Sequence, residues 1–202
     1  MTKKNYFFLP FIAVLLFLSE NSLAQQRFKA GVVLGLNASQ ILGDAVGGYN
    51  RLGLQGGLRA TTVLQDKMDI SFELLYSQRG SYSKNFNVDI FLQYVEVPVV
   101  FSYKDWLHEE DGYYRIQASA GISLGRLLDA SAEGSTHDDL TDNFNTWDYG
   151  FTGGVEYFAT QRIGFGLRWT KSFNLLYNKD KHDPGRNSLR GFFLSFRGAY
   201  YF

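Results

Sequence analysis

The chain has 202 residues, with 20 Lys and Arg against 20 Asp and Glu. That balance gives no basic footprint for nucleic acid. It has no cysteine, which excludes disulfides, thiolate metal sites and a lipidated N-terminal Cys.

The chain opens MTKKNYFFLPFIAVLLFLSENSLAQQ. Lys3 and Lys4 precede an apolar stretch from Tyr6 to Leu18, and Ser22-Leu23-Ala24 supplies small residues before a cut after Ala24. This is the layout of a secretory signal peptide over 1–24, and the stretch is too short to span a bilayer as a helix. The remaining 25–202 has the length of one domain.

From Phe28 onward the sequence alternates with period two, the spacing of a strand with two unlike faces. Eight segments are expected: Phe28–Ser39, Gly53–Leu64, Met68–Arg79, Leu92–Tyr103, Tyr113–Leu124, Trp147–Ala159, Ile163–Phe173 and Leu189–Phe202. The fourth reads LQYVEVPVVFSY, with Val95, Val97, Val99 and Phe101 on one face and Glu96 and Pro98 on the other. Short connections such as Gln65–Lys67 and Thr160–Arg162 alternate with long polar ones: Gln40–Leu52, Gly80–Ile90, Gly125–Thr146 and Asn174–Ser188. Short turns at one end and long loops at the other describe an up-and-down meander, and an even strand number lets it close.

Alternation alone leaves the inside undecided, since a soluble lipocalin-like barrel buries its apolar face and a membrane barrel shows it to lipid. Three features favour lipid. The polar face is poor in Lys and rich in small residues, unlike a water-facing surface. Aromatics gather at both strand ends on the apolar face: Phe101, Tyr103, Tyr114, Tyr157, Tyr200 and Phe202 near the short turns, Tyr76, Tyr149, Phe173 and Phe192 near the long loops. Such belts mark the two membrane interfaces. The chain also ends on an aromatic run, GAYYF. The expected fold is therefore all-β: an eight-stranded antiparallel up-and-down transmembrane β-barrel with short periplasmic turns and longer extracellular loops.

Parity then sends Arg59, Glu73, Glu96, Arg115, Glu156, Arg168 and Arg197 into the lumen. A lumen of eight strands is about filled by side chains, so these charges are expected to pair as a structural plug. Arg115, on the next strand, is the expected partner of Glu96. Pro98, which lacks a donor, is expected at a bulge or a break in the ladder.

ELLYSQRGS (Glu73–Ser81) followed by YVEVPVVFSY (Tyr94–Tyr103) resembles the PorT-like outer-membrane β-barrel family. The resemblance covers essentially the whole chain after the signal. It implies an integral barrel of the cell outer membrane, reached by export through the periplasm, and no particular reaction.

Candidate chemistry in the loops is weak. His108 stands in an acidic turn, KDWLHEEDG. His137-Asp138-Asp139 with Asp142 lacks EF-hand spacing for a cation. His182-Asp183 with Ser188 has the residue types of a lipid hydrolase without a G-x-S-x-G. The expected function is non-enzymatic, with no cofactor and no metal. The expected partners are outer-membrane lipid, the outer-membrane assembly machinery during folding, and an unknown protein or ligand at the extracellular loops. Alternatives are a small-solute channel, an outer-membrane hydrolase or a soluble ligand-binding barrel.

Overall fold

The computed structural model describes residues 28–44, 47–85, 88–133, 141–183, 185 and 187–202. The expected signal peptide and His137-Asp138-Asp139 lie outside the described residues. Eight strands form: β1 (Phe28–Leu42), β2 (Arg51–Gln65), β3 (Met68–Ser83), β4 (Val88–His108), β5 (Tyr113–Glu133), β6 (Trp147–Phe158), β7 (Ile163–Ser172) and β8 (Arg190–Tyr201). Every strand pairs antiparallel with the next, and β8 pairs with β1, so the sheet is a closed barrel.

The register fixes its shape. Following hydrogen-bonded partners from Lys29 leads through Thr61, Ser71, Val100, Gly121, Thr152, Thr170 and Phe193 back to β1 at Ser39, ten residues further along. Ten residues of stagger over eight strands tilt the strands by about 40°. All eight residues on that path after Lys29 point inward. Gly57 shows how tight the wall is: a Cβ there would lie against the Leu74 carbonyl and 2.9 Å from the Leu75 Cα.

The outer surface is apolar. Leu34, Leu54, Leu58, Phe72, Leu74, Val97, Phe101, Ile122, Val155, Leu167 and Phe196 are all exposed, while Arg59, Glu73, Glu96, Arg168 and Arg197 are buried. A water-soluble barrel has the opposite polarity; this surface suits hydrocarbon.

Several strands run past the bounds that the alternation suggests. β3 continues beyond Arg79 to Ser83, β4 begins at Val88 and β5 continues beyond Leu124 to Glu133. Much of Gly80–Ile90 and Gly125–Thr146, expected as loops, is thus a three-stranded extension above the barrel wall. The cause is a second apolar stripe. Val88, Ile90, Leu92 and Tyr94 have lumen parity and pack with Ile41, Phe144, Leu176, Tyr177 and Leu189 in one buried cluster. The last four come from the β5–β6 and β7–β8 connections, which fold inward as a cap. The second of these connections carries one short helix, α1 (Lys179–His182).

Pro98 interrupts the β3–β4 ladder. Pairing stops at Phe72↔Val99 and resumes at Leu75↔Glu96 with the register unchanged, so this is a break and not a bulge. On its other edge Pro98 stays in register with Ser123.

Candidate functional site

The lumen holds charged side chains in tiers. The lower tier centres on Glu73 of β3, which is 2% exposed. Its Oε1 accepts from Arg59 Nε at 2.8 Å and Arg197 Nη2 at 2.6 Å, and its Oε2 from Arg168 Nη1 at 2.7 Å. Arg59 Nη1 also donates to Glu156 Oε2 at 2.9 Å and to the Tyr201 hydroxyl at 2.7 Å. Five strands, β2, β3, β6, β7 and β8, are cross-linked through this one carboxylate and its neighbours. Each removal of a charge from water is offset by a charge-assisted hydrogen bond at short range.

The upper tier centres on Arg79. Its Nη2 donates to Glu96 Oε1, and its Nη1 to Asp148 Oδ2 at 2.7 Å. The guanidinium lies between two rings, 4.2 Å from the centroid of Tyr94 and 4.5 Å from that of Phe193. Both faces of the cation are thus covered by aromatic rings while its edge meets the carboxylates. A residual void beside Arg79 and Tyr94 measures only about 20 Å³, the room of about one water. Above it lies the apolar cap. Below the lower tier, Lys104 donates to Asp69 at 2.9 Å. An open vestibule of about 410 Å³ follows at the periplasmic mouth, lined by Thr61, Lys104, Tyr113, Gln117 and Tyr201 among others.

Of the seven expected lumen charges, Arg59, Glu73, Glu156, Arg168 and Arg197 meet in the lower tier and Glu96 joins the upper one. Arg115 does not join. Glu96 faces Gly125 on β5, ten residues from Arg115, or roughly 33 Å along the strand. Arg115 stays at the periplasmic rim, its Cζ 6.0 Å from the Trp106 ring. The expected Glu96–Arg115 pair is corrected to Glu96–Arg79. Sequence adjacency identifies the neighbouring strand, but the height along it depends on register. Arg79 and Asp148 both have lumen parity, and that parity was the signal for their place.

Two of the loop histidines, His182 and His108, lie among the described residues. His182 lies tilted against Tyr177 with centroids 5.5 Å apart, while the Ser188 hydroxyl accepts from Lys179 N at 3.3 Å. His108 stacks on Tyr113 at 5.4 Å. Among the described residues no group of three His, Cys, Asp or Glu side chains is placed to hold a metal. On the extracellular side an open cleft of about 440 Å³ is lined by Asn143, Phe144, Asn145, Asn178, Lys181 and His182 among others.

Residues 21–178 match the family described as outer membrane protein beta-barrel domain. The chain belongs to that family. It is accordingly an outer-membrane protein, with the short turns periplasmic and the long loops outside. No curated protein matches the sequence. Among solved structures it is similar to Ail, the attachment invasion locus protein of Yersinia pestis, at 9% identity and a TM-score of 0.47, covering 87% of this chain and 99% of that one. Neisserial surface protein A is similar at 13% identity and 0.47, covering 87% and 97%. The outer membrane protein OprG from Pseudomonas aeruginosa follows at 11% and 0.40, covering 87% and 94%. These likenesses are of fold.

Proposed function

We propose that this barrel is a closed, non-enzymatic outer-membrane protein of PorT-like type, exported with a signal peptide cut after Ala24. Its lumen charges act as a structural plug, and its extracellular extension and loops bind a partner or support the envelope. The observation that carries this reading is the stacking of three obstructions in one narrow lumen: the apolar cap, the Arg79 tier and the Glu73 tier. An eight-stranded barrel has no spare cross-section once these side chains are in place. The polar extracellular cleft beside Asn143 and Asn178 gives the loops a surface on which specificity can reside.

Planar-bilayer recording from pure protein tests the plug. The expected record shows no stable unitary conductance. Reproducible channels of constant size would overturn the closed reading in favour of small-solute transport. A pull-down from detergent-solubilised envelopes then identifies the loop partner.

A further inference from the structure

The lipid-facing wall carries an asymmetry that the plugged lumen does not explain. Near the extracellular ends of β5, β7 and β8, three cations have outward parity: Arg126, Lys171 and Arg190. Arg126 and Lys171 are exposed and Arg190 is half-buried. Among the described residues none of the three makes an ion pair. Their places follow from the register. Arg126 faces Trp147, Lys171 faces Phe151 on one side and Phe192 on the other, and Arg190 is two residues above Phe192. Arg126 and Lys171 are separated by two strands and four residues, but with strands tilted by about 40° the two offsets largely cancel in height. On the same reckoning Arg190 stands about 8 Å above Lys171, because there the two offsets add, with Arg126 between them; the three cations thus span the outer end of the apolar band around a shelf of Trp147, Tyr149 and Phe192. The Arg126 Cζ is 5.9 Å from the Trp147 ring centroid.

The adjoining sector at this height, from β3 to Asp129 on β5, is different in kind. There Gln78 Nε2 donates to the Tyr76 hydroxyl at 3.1 Å, Tyr76 donates to Gln93, and Gln93 Nε2 donates to Asp129 Oδ2 at 2.9 Å. That sector is neutral or acidic and satisfies its own polar groups. Cations serving only as interfacial anchors have no reason to gather on one side of the wall.

We infer that Arg126, Lys171 and Arg190 form a docking site for the phosphate groups of an outer-leaflet glycolipid, whose acyl chains lie on the apolar faces of β6 and β7. A single outward cation at hydrocarbon's edge costs little, so it is the grouping of three around one aromatic shelf, and not their cost, that points to an anion. A membrane lipid supplies that anion at the right height, and the aromatic shelf between the cations suits the boundary between sugar and acyl chain.

The test places the full chain in phosphatidylcholine nanodiscs containing a minor fraction of phosphorylated lipid A, with chemically dephosphorylated lipid A as the paired probe. Glycolipid retained after exchange into lipid-free detergent is measured. Wild type is expected to retain the phosphorylated form. The triple variant Arg126→Gln, Lys171→Gln, Arg190→Gln is expected to lose about 100-fold, from several-fold per cation. A control with Gln78→Ala and Gln93→Ala is expected to retain lipid as wild type does. None of these residues belongs to the lumen tiers, and heat-modifiable gel mobility confirms that each variant is folded. Equal retention of the dephosphorylated lipid, or no loss in the triple variant, would overturn the site and leave the cations as interfacial anchors. Displacement by inorganic phosphate at the lipid's own concentration would also overturn it, since a free anion would then suffice.

Discussion

Glu96 of β4 accepts its hydrogen bond from Arg79 of β3, four residues above the position that pairs with it across the ladder. The arginine reaches down the lumen and meets Asp148 with its other terminal nitrogen. One cation thus serves two carboxylates, and the two kinds of partner are not equivalent.

Removing the cation should cost more than removing one anion. We expect Arg79→Ala to leave two buried carboxylates facing each other and to destabilise the barrel by about 3–5 kcal/mol or more. Glu96→Ala leaves Arg79 its Asp148 bond and its two rings, so its cost should fall at the low end of that range. Urea titration in lipid vesicles reports both. Rescue of Glu96→Ala by Arg115→Ala would show that the pairing described above is wrong.

Glu73 should be the most sensitive single carboxylate. It accepts from three arginines, and Glu73→Ala strands all three around Glu156 alone. The expected loss is about 3–5 kcal/mol at the least. Glu73→Gln keeps the shape and should also be severe, because the charge is gone. Wild-type stability in either variant would remove the lower tier from any structural role.

On the outer face the sign of the rule reverses. Val97 is exposed to lipid beside the buried Glu96. Val97→Arg should cost about 2–4 kcal/mol near the midplane. No lumen substitution should restore it. A neutral effect would place Val97 out of the hydrocarbon.

The apolar cap can be separated from the plug. Tyr177 is 1% exposed within the cap cluster. Tyr177→Ala should cost about 3–5 kcal/mol of local packing and expose the β5–β6 and β7–β8 connections to protease, while the bilayer record stays silent because both charged tiers remain. Channel opening in this variant would move the obstruction from the tiers to the cap.

Gly80 tests the extension. Its φ of 153° is one that L side chains rarely adopt, and a Cβ there would run into the Ile90 carbonyl. Gly80→Ala should cost roughly 1–3 kcal/mol and loosen the β3–β4 hairpin above the wall. Hydrogen exchange over Ser81–Ile90 should rise; unchanged protection there would show that the hairpin tolerates the side chain.

Eight strands, their order and their inside-out polarity were legible from period-two alternation, because each face meets one solvent along most of its length. The extension was not, because the apolar parity reverses there: Val88, Ile90, Leu92 and Tyr94 are apolar on the lumen side with Asp89 and Gln93 opposite, whereas Val95, Val97, Val99 and Phe101 are apolar on the outer side. Lumen parity put Glu73 and Arg59 among the inward residues, and both are buried. It could not rank partners, since Arg115 and Arg79 share that parity and only the strand registers, Glu96 against Leu75 on β3 and against Gly125 on β5, put one of them within reach. The cap depends on Phe144, Leu176 and Leu189, apolar residues in connections with no period to mark which of them turn inward, and their burial is a tertiary event.

The lower tier also constrains how the molecule can assemble. Its bonds join residues 95, 97, 124 and 142 apart in sequence, on β2, β3, β6, β7 and β8. None can form from neighbouring strands alone except Arg59 with Glu73. A partly built sheet in lipid would present guanidinium and carboxylate groups with nothing to neutralise them. Neutralisation therefore needs a sheet curved enough to bring β2 and β3 opposite β6, β7 and β8, so opening the β1–β8 seam would draw these partners apart and leave buried charge unpaired.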